Sequence, residues 1–111
     1  MDSAKPAKLL RVYLNENDQF KHQPLYVALV HLLRSKGIAT ATATRTLSGS
    51  DSLAQRSFRR VWPLATLSLV VECLDEATRV NEVLPAVLQM VQDRPCIVLD
   101  GQMWSERRSK Y

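Results

Sequence analysis

Residues 24–49 read PLYVALVHLLRSKGIATATATRTLSG, and this stretch decides the fold because its apolar period changes from helix to strand. In the first half, the apolar side chains that share one helical face are Leu25, Ala28, Leu29, Leu32 and Leu33. Gly37 follows Arg34 and Lys36 and can adopt the left-handed conformation that ends a helix. The sequence therefore predicts a helix that begins at Pro24 and ends before Gly37.

The second half of the stretch has the period of a strand. Residues 38–47 alternate alanine with threonine, and the small alanines Ala39, Ala41 and Ala43 are expected to form one tightly packed face. Residues 48–57, SGSDSLAQRS, show no apolar period and predict a mobile loop. Residues 58–62 are predicted to be the extended segment that leads back from this loop towards the sheet. Pro63 follows them and would interrupt a continuous central strand.

The remaining segments complete a repeating order of elements. Apolar alternation predicts strands over residues 8–14, 66–73 and 96–99. Asp75 is a candidate N-cap for a second helix, whose apolar face is formed by Val80, Val83, Leu84, Val87, Leu88 and Val91. The order is βαββαβ, and right-handed crossovers place both helices on one face of an antiparallel sheet. We predict an α+β, ferredoxin-like sandwich with four strands.

The other face of this sheet is left without helices. Leu9, Tyr13 and Val70 lie on that face and are apolar, so a single chain exposes surface that it should bury. Self-association through this face follows as a hypothesis.

Length and composition fit one domain. The chain has 111 residues, of which 46% are hydrophobic, and we expect a single domain with its core over residues 8–99 and a polar, basic tail over residues 101–111. No apolar run is long enough to span a bilayer, and the first residues lack the apolar region of a secretory signal, so a cytoplasmic location is expected. Cys73 and Cys96 lie in apolar segments and are expected to be buried thiols.

The positive charge is concentrated around the predicted loop. Residues 45–60 contain one acidic residue, Asp51, and four arginines: Arg45, Arg56, Arg59 and Arg60. Each guanidinium group can donate two parallel hydrogen bonds to a phosphate or carboxylate. Ser48 could add a hydroxyl donor and Gly49 a backbone N–H donor. These six residues are the candidate anion or nucleotide site. A solubilising loop, or arginines that pair with a neighbouring subunit, explains the same cluster.

Other chemistries find less support in the sequence. No nucleophile with a base, no carboxylate pair and no metal centre has useful spacing, so an enzyme is not expected. Arg11 and Tyr13 could line a cleft between subunits, but a structural placement is favoured, because an arginine on an exposed strand face is common and needs no function. Trp104 with the basic tail could stack on nucleic acid, but a flexible tail, or one folded against the next subunit, is favoured and no nucleic-acid partner is expected.

Residues 24–49, together with LSLVVECLD at 67–75 and VLPAVLQMV at 83–91, resemble the PII-like domain-of-unknown-function 190 family over most of residues 8–99. The resemblance implies a homotrimer whose sheets face the three-fold axis and whose loop, here residues 47–61, corresponds to the PII T-loop. It also implies adenine nucleotide binding at the clefts between subunits, with a membrane transporter or an enzyme as the regulated target. The chain departs from the PII pattern at residues 92–95, where PII proteins carry a longer phosphate-binding loop.

The function expected from these observations is regulation by a small anionic ligand, with an adenine nucleotide as the candidate cofactor. The alternative is a metal-binding or structural trimer on the same fold, which would use His22, His31 or the methionines and would bind no nucleotide.

Overall fold

The computed structural model describes residues 2–45 and 68–106. The elements in chain order are β1 (Asp2–Leu14), β2 (Gln19–Phe20), β3 (Gln23–Pro24), α1 (Leu25–Ser35), β4 (Thr42–Arg45), β5 (Leu69–Glu76), α2 (Ala77–Val91) and β6 (Cys96–Glu106). The predicted loop over residues 47–61 lies outside the described residues. Neither helix of the described chain has the length and apolar character needed to cross a bilayer.

A four-stranded antiparallel sheet in the order β4-β5-β1-β6 forms one layer, and the two helices form the other. The strands contribute Leu10, Val12, Leu14, Leu69, Val71 and Cys73 to the core, and the helices contribute Leu25, Leu29, Leu33, Val80, Val83, Val87 and Val91. Each fully buried side chain of this size contributes about 1.5–3 kcal/mol relative to an exposed position. The prediction of a ferredoxin-like α+β fold is confirmed.

Helix α1 ends as its sequence predicts. The backbone N–H of Gly37 donates to the Arg34 carbonyl at 3.0 Å, and the N–H of Ile38 donates to the Leu33 carbonyl at 3.0 Å. These two bonds form a Schellman motif, which needs a left-handed residue, and Gly37 has φ of 90°. A side chain at this position would be strained, and its Cβ would lie 3.1 Å from Arg79 Nη1.

Strand β4 is shorter than the alternation of alanine and threonine predicts. Residues 38–41 lie outside any strand and include a turn at residues 39–40, and of the three alanines Ala41 is buried whereas Ala39 and Ala43 are exposed. The reason is Thr40, whose hydroxyl donates to the Leu74 carbonyl at 2.7 Å and accepts from the Leu74 N–H at 2.9 Å. A side chain therefore occupies the hydrogen-bonding groups that a continuing strand would use.

Helix α2 begins later than expected, and the N-cap prediction is wrong. Asp75 belongs to β5, the helix begins at Ala77, and the residue before it, Glu76, makes no side-chain cap. The Asp75 carboxylate still serves this end of the helix, because it accepts from the Glu76 N–H at 2.6 Å and lies 3.8 Å from Arg79 Nε. An acidic group near a helix N-terminus is favourable even outside the cap position.

Strands β1 and β6 are both longer than predicted. β1 begins at Asp2 rather than at residue 8, and β6 continues to Glu106, so that residues 101–106 form a strand and not a tail. The two extensions pair with each other from Asp2↔Glu106 onward. The backbone groups of the two extensions pair with each other, and their residues, DSAKP at 2–6 and QMWSE at 102–106, show no apolar alternation from which a strand could be predicted.

Both cysteines are free thiols. Cys73 is buried and Cys96 is half-buried, in agreement with the prediction for the first and in part for the second. Burial raises the pKa of Cys73 to about 11, because the thiolate would lose its hydration. Burial also raises the pKa of Cys96.

Candidate functional site

The sheet face opposite the two described helices, called here the outer face, carries an ion pair at its centre. Arg11 on β1 lies directly opposite Glu72 on β5, and Arg11 Nε donates to Glu72 Oε2 at 2.8 Å. The hydrogen bond to Glu72 raises the pKa of Arg11, since the carboxylate favours the charged guanidinium. The pair is half exposed, so the Arg11 guanidinium remains within reach of a ligand.

A concavity forms beside this pair. Tyr13 on β1 and Thr44 on β4 both lie opposite Val70 of β5, which brings three strands together at one level of the outer face. The concavity has a volume of about 260 Å³ and is lined by Arg11, Tyr13, Thr44, Arg45, Val70 and Glu72. It combines the ring of Tyr13, the aliphatic side chain of Val70 at its floor, and the guanidinium groups of Arg11 and Arg45.

Arg45 closes the concavity at the end of β4. Its Nη1 contacts Glu16 Oε2 at 2.7 Å, and its side chain is 74% exposed. Glu16 is positioned by its backbone N–H, which donates to Ser68 Oγ at 2.9 Å. Exposed ion pairs contribute only about 0–1 kcal/mol, so an incoming anion can replace Glu16 on Arg45 at small cost.

Of the six residues predicted to bind the anion, the described chain contains one, Arg45. The other five lie outside the described residues: Ser48, Gly49, Arg56, Arg59 and Arg60. The structure adds Arg11 and Tyr13, for which the sequence favoured a structural placement, and it adds Thr44 and Glu72. Strand alternation gives the face of each residue, but only the register between distant strands brings them together.

The loop between α2 and β6 is a tight turn. Gln92 has φ of 52° and ψ of −117°, the values of the first central position of a type II′ turn, and the Arg94 N–H donates to the Val91 carbonyl at 3.2 Å. Arg94 Nε also donates to Asp18 Oδ2 at 2.8 Å. The Arg94 guanidinium is thus already paired, which agrees with the departure from the PII phosphate-binding loop noted in the sequence.

Asp18 makes stability sensitive to acid at this end of the sheet. Burial acts to raise its pKa, but the hydrogen bonds from Arg94 and the Asn15 N–H, with the attraction of Arg94, outweigh burial and lower it. Because the folded pKa lies below the unfolded value of 3.8, the carboxylate stabilises the fold fully above that pH. This contribution disappears as pH falls through the folded pKa.

Replacing Asp18 by Asn is therefore expected to lower the free energy of unfolding by about 1.5–3 kcal/mol at pH 7, since a charge-assisted hydrogen bond is lost. The difference from wild type should shrink as pH falls below about 4. Urea unfolding at pH 7 and at pH 2 measures both effects. Asp93→Asn, at an exposed carboxylate in the neighbouring loop, is the matched control and should change stability by less than about 0.5 kcal/mol. A pH-independent difference for Asp18→Asn would contradict the assignment.

A groove of about 730 Å³ lies between α1 and β4, and its lining includes Tyr26, Val27, Val30, His31 and Arg34. The Arg34 side chain already has a structural hydrogen bond, because its Nη2 donates to the Ala41 carbonyl at 3.0 Å. His22 lies in the turn between β2 and β3, whereas His31 lies on α1. Within residues 2–45 and 68–106, no three His, Cys, Asp or Glu side chains come together as metal ligands.

A row of leucines crosses the outer face below the ion pair. Leu9 on β1 lies opposite Leu74 of β5 on one side and Leu99 of β6 on the other. Leu74 is 43% exposed and Leu99 is 50% exposed in the single chain. This leucine row, with Val70 and Tyr13 above it, gives the outer face the apolar character that the sequence predicted.

Comparisons with known proteins identify the family. The sequence pattern of DUF190, described as an uncharacterized ACR, matches residues 7–102. The UPF0166 protein MJ1524 of Methanocaldococcus jannaschii is 27% identical over 93 residues, which cover 84% of this chain and 86% of that protein.

Solved structures with a similar fold include CPII, a nitrogen regulatory PII-like protein from Thiomonas intermedia K12. Its apo form is 14% identical, with a TM-score of 0.59 over 97% of this chain and 100% of that chain. Its complex with ADP, AMP and bicarbonate is 16% identical, with a TM-score of 0.56 over 96% of this chain and 100% of that chain. At these identities the likeness shows the fold. The chain therefore belongs to the DUF190 family and has the fold of PII-like proteins.

Proposed function

We propose that this chain is a PII-like regulatory protein whose copies form a trimer through the outer face and bind an adenine nucleotide beside Arg45. Membership of the DUF190 family and the PII-like fold support the proposal, as does the binding of ADP and AMP by CPII. The observation that carries it is the concavity of Arg11, Tyr13 and Arg45 on the face of the sheet that neither described helix covers.

The chemistry of the concavity suits a nucleotide. The exposed guanidinium of Arg45 can donate two parallel hydrogen bonds to a phosphate in place of Glu16, and the Tyr13 ring offers a surface for a base. Its volume of about 260 Å³ is below the roughly 300–1,000 Å³ of complete small-molecule sites. We infer that the concavity is one wall of a site, and that a neighbouring copy supplies the other.

The segment over residues 47–61 would complete the site and report its occupancy. The predicted ligand contacts in and beside this segment remain Ser48, Gly49, Arg56, Arg59 and Arg60, all of which come after Arg45 in the sequence. Contacts that exist in one loop conformation only would shift the loop population when the nucleotide binds. A protein partner, such as a membrane transporter or an enzyme, would then read that conformation, and the chain itself would have no catalytic role.

Isothermal titration with ADP, AMP, ATP and bicarbonate tests ligand binding. We expect heat with at least one adenine nucleotide, and an affinity that falls about 10- to 100-fold in Arg45→Ala, because charge-assisted hydrogen bonds to phosphate are lost. Arg79→Ala is the matched control. Arg79 is also exposed and pairs with a carboxylate, Asp75, but on the first turn of α2 and away from the concavity.

Equal nucleotide affinity in wild type, Arg45→Ala and Arg79→Ala would remove Arg45 from the site. The absence of heat with ADP, AMP and ATP would contradict the nucleotide-binding proposal itself, whether or not bicarbonate binds.

A further inference from the structure

The paired extensions of β1 and β6 form an arm that leaves the body of the sheet. The pairing of β1 with β5 stops at Ala7↔Glu76. Towards the N-terminus, β1 pairs only with β6, as far as Asp2↔Glu106, within the described residues. We call residues 2–6 and 102–106 the arm. Two-stranded ribbons are at best marginally stable in water, so an arm of this length needs a surface to pack on.

The arm presents its apolar residues to solvent in the single chain. Trp104 is 70% exposed and Met103 is 38% exposed. A tryptophan can bury about 150–250 Å² and is a residue type enriched in the centres of protein interfaces. Lys5, a charged residue opposite Met103, is already paired with Glu76 at 3.2 Å.

The base of the arm joins the leucine row without interruption. A groove of about 510 Å³ on the outer face is lined by Ala7, Leu9, Leu74, Leu99, Asp100, Gly101, Gln102, Met103 and Trp104. Met103 shares the face of Leu99 on β6, and both Met103 and Trp104 border this groove with the leucine row, so the groove and its rim form one surface. The free edge of β6, the last strand in the sheet order, runs along this surface and offers unpaired backbone groups within the described residues.

We propose that this surface docks on a second copy of the chain, with the arm of one subunit packed on the neighbouring subunit and Trp104 buried in the contact. The inference rests on the proposed trimer, because the arm continues the face through which the copies are proposed to meet. An anionic membrane is a poorer occupant, since the lysines at the base of the arm are already paired. Lys5 pairs with Glu76, and Lys8 contacts Asn81 at 2.7 Å and Asp100 at 3.8 Å.

Trp104 provides a direct probe of the docked arm. The chain contains one other tryptophan, so Trp62→Phe leaves Trp104 as the only tryptophan. In the assembled Trp62→Phe protein, Trp104 emission is expected to be blue-shifted and shielded from acrylamide, and both properties should be lost on dilution to monomer. Sedimentation of the same protein reports the assembly independently.

A substitution measures how much the arm contributes to assembly. Trp104→Ala is expected to raise the dissociation constant of the assembly about 30-fold, as for a central interface tryptophan. Because Trp104 is exposed in the single chain, its removal leaves no cavity, and far-ultraviolet circular dichroism checks the fold. Leu88→Ala, at a leucine that is 46% exposed on α2, is the control and should leave the constant unchanged.

The outcomes separate the arm from the trimer. An assembled protein in which acrylamide quenches Trp104 as strongly as in urea, or in which Trp104→Ala assembles as well as Leu88→Ala, overturns the arm contact and leaves the trimer standing. A protein that stays monomeric at all concentrations overturns both. Shielded emission together with weakened assembly in Trp104→Ala supports the proposal.

Discussion

Replacing Leu10 by Ala is expected to lower the free energy of unfolding by about 2–5 kcal/mol. Leu10 is completely buried on β1, between Cys73 of β5 and Val98 of β6 in the two neighbouring strands. The substitution removes apolar contacts and leaves a cavity that rigid strands on both sides cannot fill. The loss is a large share of the roughly 5–15 kcal/mol that typically stabilises a domain.

Urea unfolding followed by circular dichroism measures this effect at a fixed protein concentration, because assembly makes stability depend on concentration. Leu88→Ala is the matched control, since it deletes the same atoms from the exposed surface of α2 and should change stability by less than about 0.5 kcal/mol. Similar losses in the two variants would mean that Leu10 does not lie in the core.

Replacing Leu99 by Asp is expected to abolish self-association at micromolar concentration. Leu99 forms one end of the leucine row and is 50% exposed in the single chain. An unpaired carboxylate at a surface that becomes buried costs about 3–5 kcal/mol, which corresponds to a dissociation constant that rises roughly 150- to 5,000-fold per contact.

Leu88→Asp makes the same chemical change at nearly the same exposure, 46%, but on the helical layer. Size-exclusion chromatography with light scattering should show an assembled Leu88→Asp protein and a monomeric Leu99→Asp protein. If both variants assemble like wild type, the outer face is not the interface.

The sequence was sufficient for the parts of the fold that are specified locally. Helix α1 has its buried leucines and its glycine at the positions that the 3.6-residue period requires, and the Schellman motif at Gly37 follows from residue type. The inner faces of β1 and β5 follow from their alternation. The right-handed crossovers then place both described helices on one face of the sheet.

What the sequence could not supply depends on contacts between distant residues. The Thr40 hydroxyl ends the strand pattern early through hydrogen bonds to Leu74, which is 34 residues away. The arm consists of strands that stabilise each other and carry no apolar period, so their pairing appears only in the register of β1 with β6. Secondary-structure propensities depend on neighbours along the chain, so they predict neither feature.

The candidate site divides along the same lines. Arg45 was predicted from local charge, and it lies at the concavity, although its predicted companions Ser48, Gly49, Arg56, Arg59 and Arg60 fall outside the described residues. Arg11 and Tyr13 join Arg45 because β5 lies between β1 and β4 in the sheet. A strand order of this kind is a property of the fold class, so the resemblance to PII-like proteins was the best guide to it.

The central claim is that the uncovered sheet face joins copies of the chain and thereby completes the ligand site. Sedimentation equilibrium of the wild-type protein at micromolar concentration tests it most directly. The account predicts a particle of three times the 12.6 kDa chain mass. A single species of 12.6 kDa across the concentration range would contradict it.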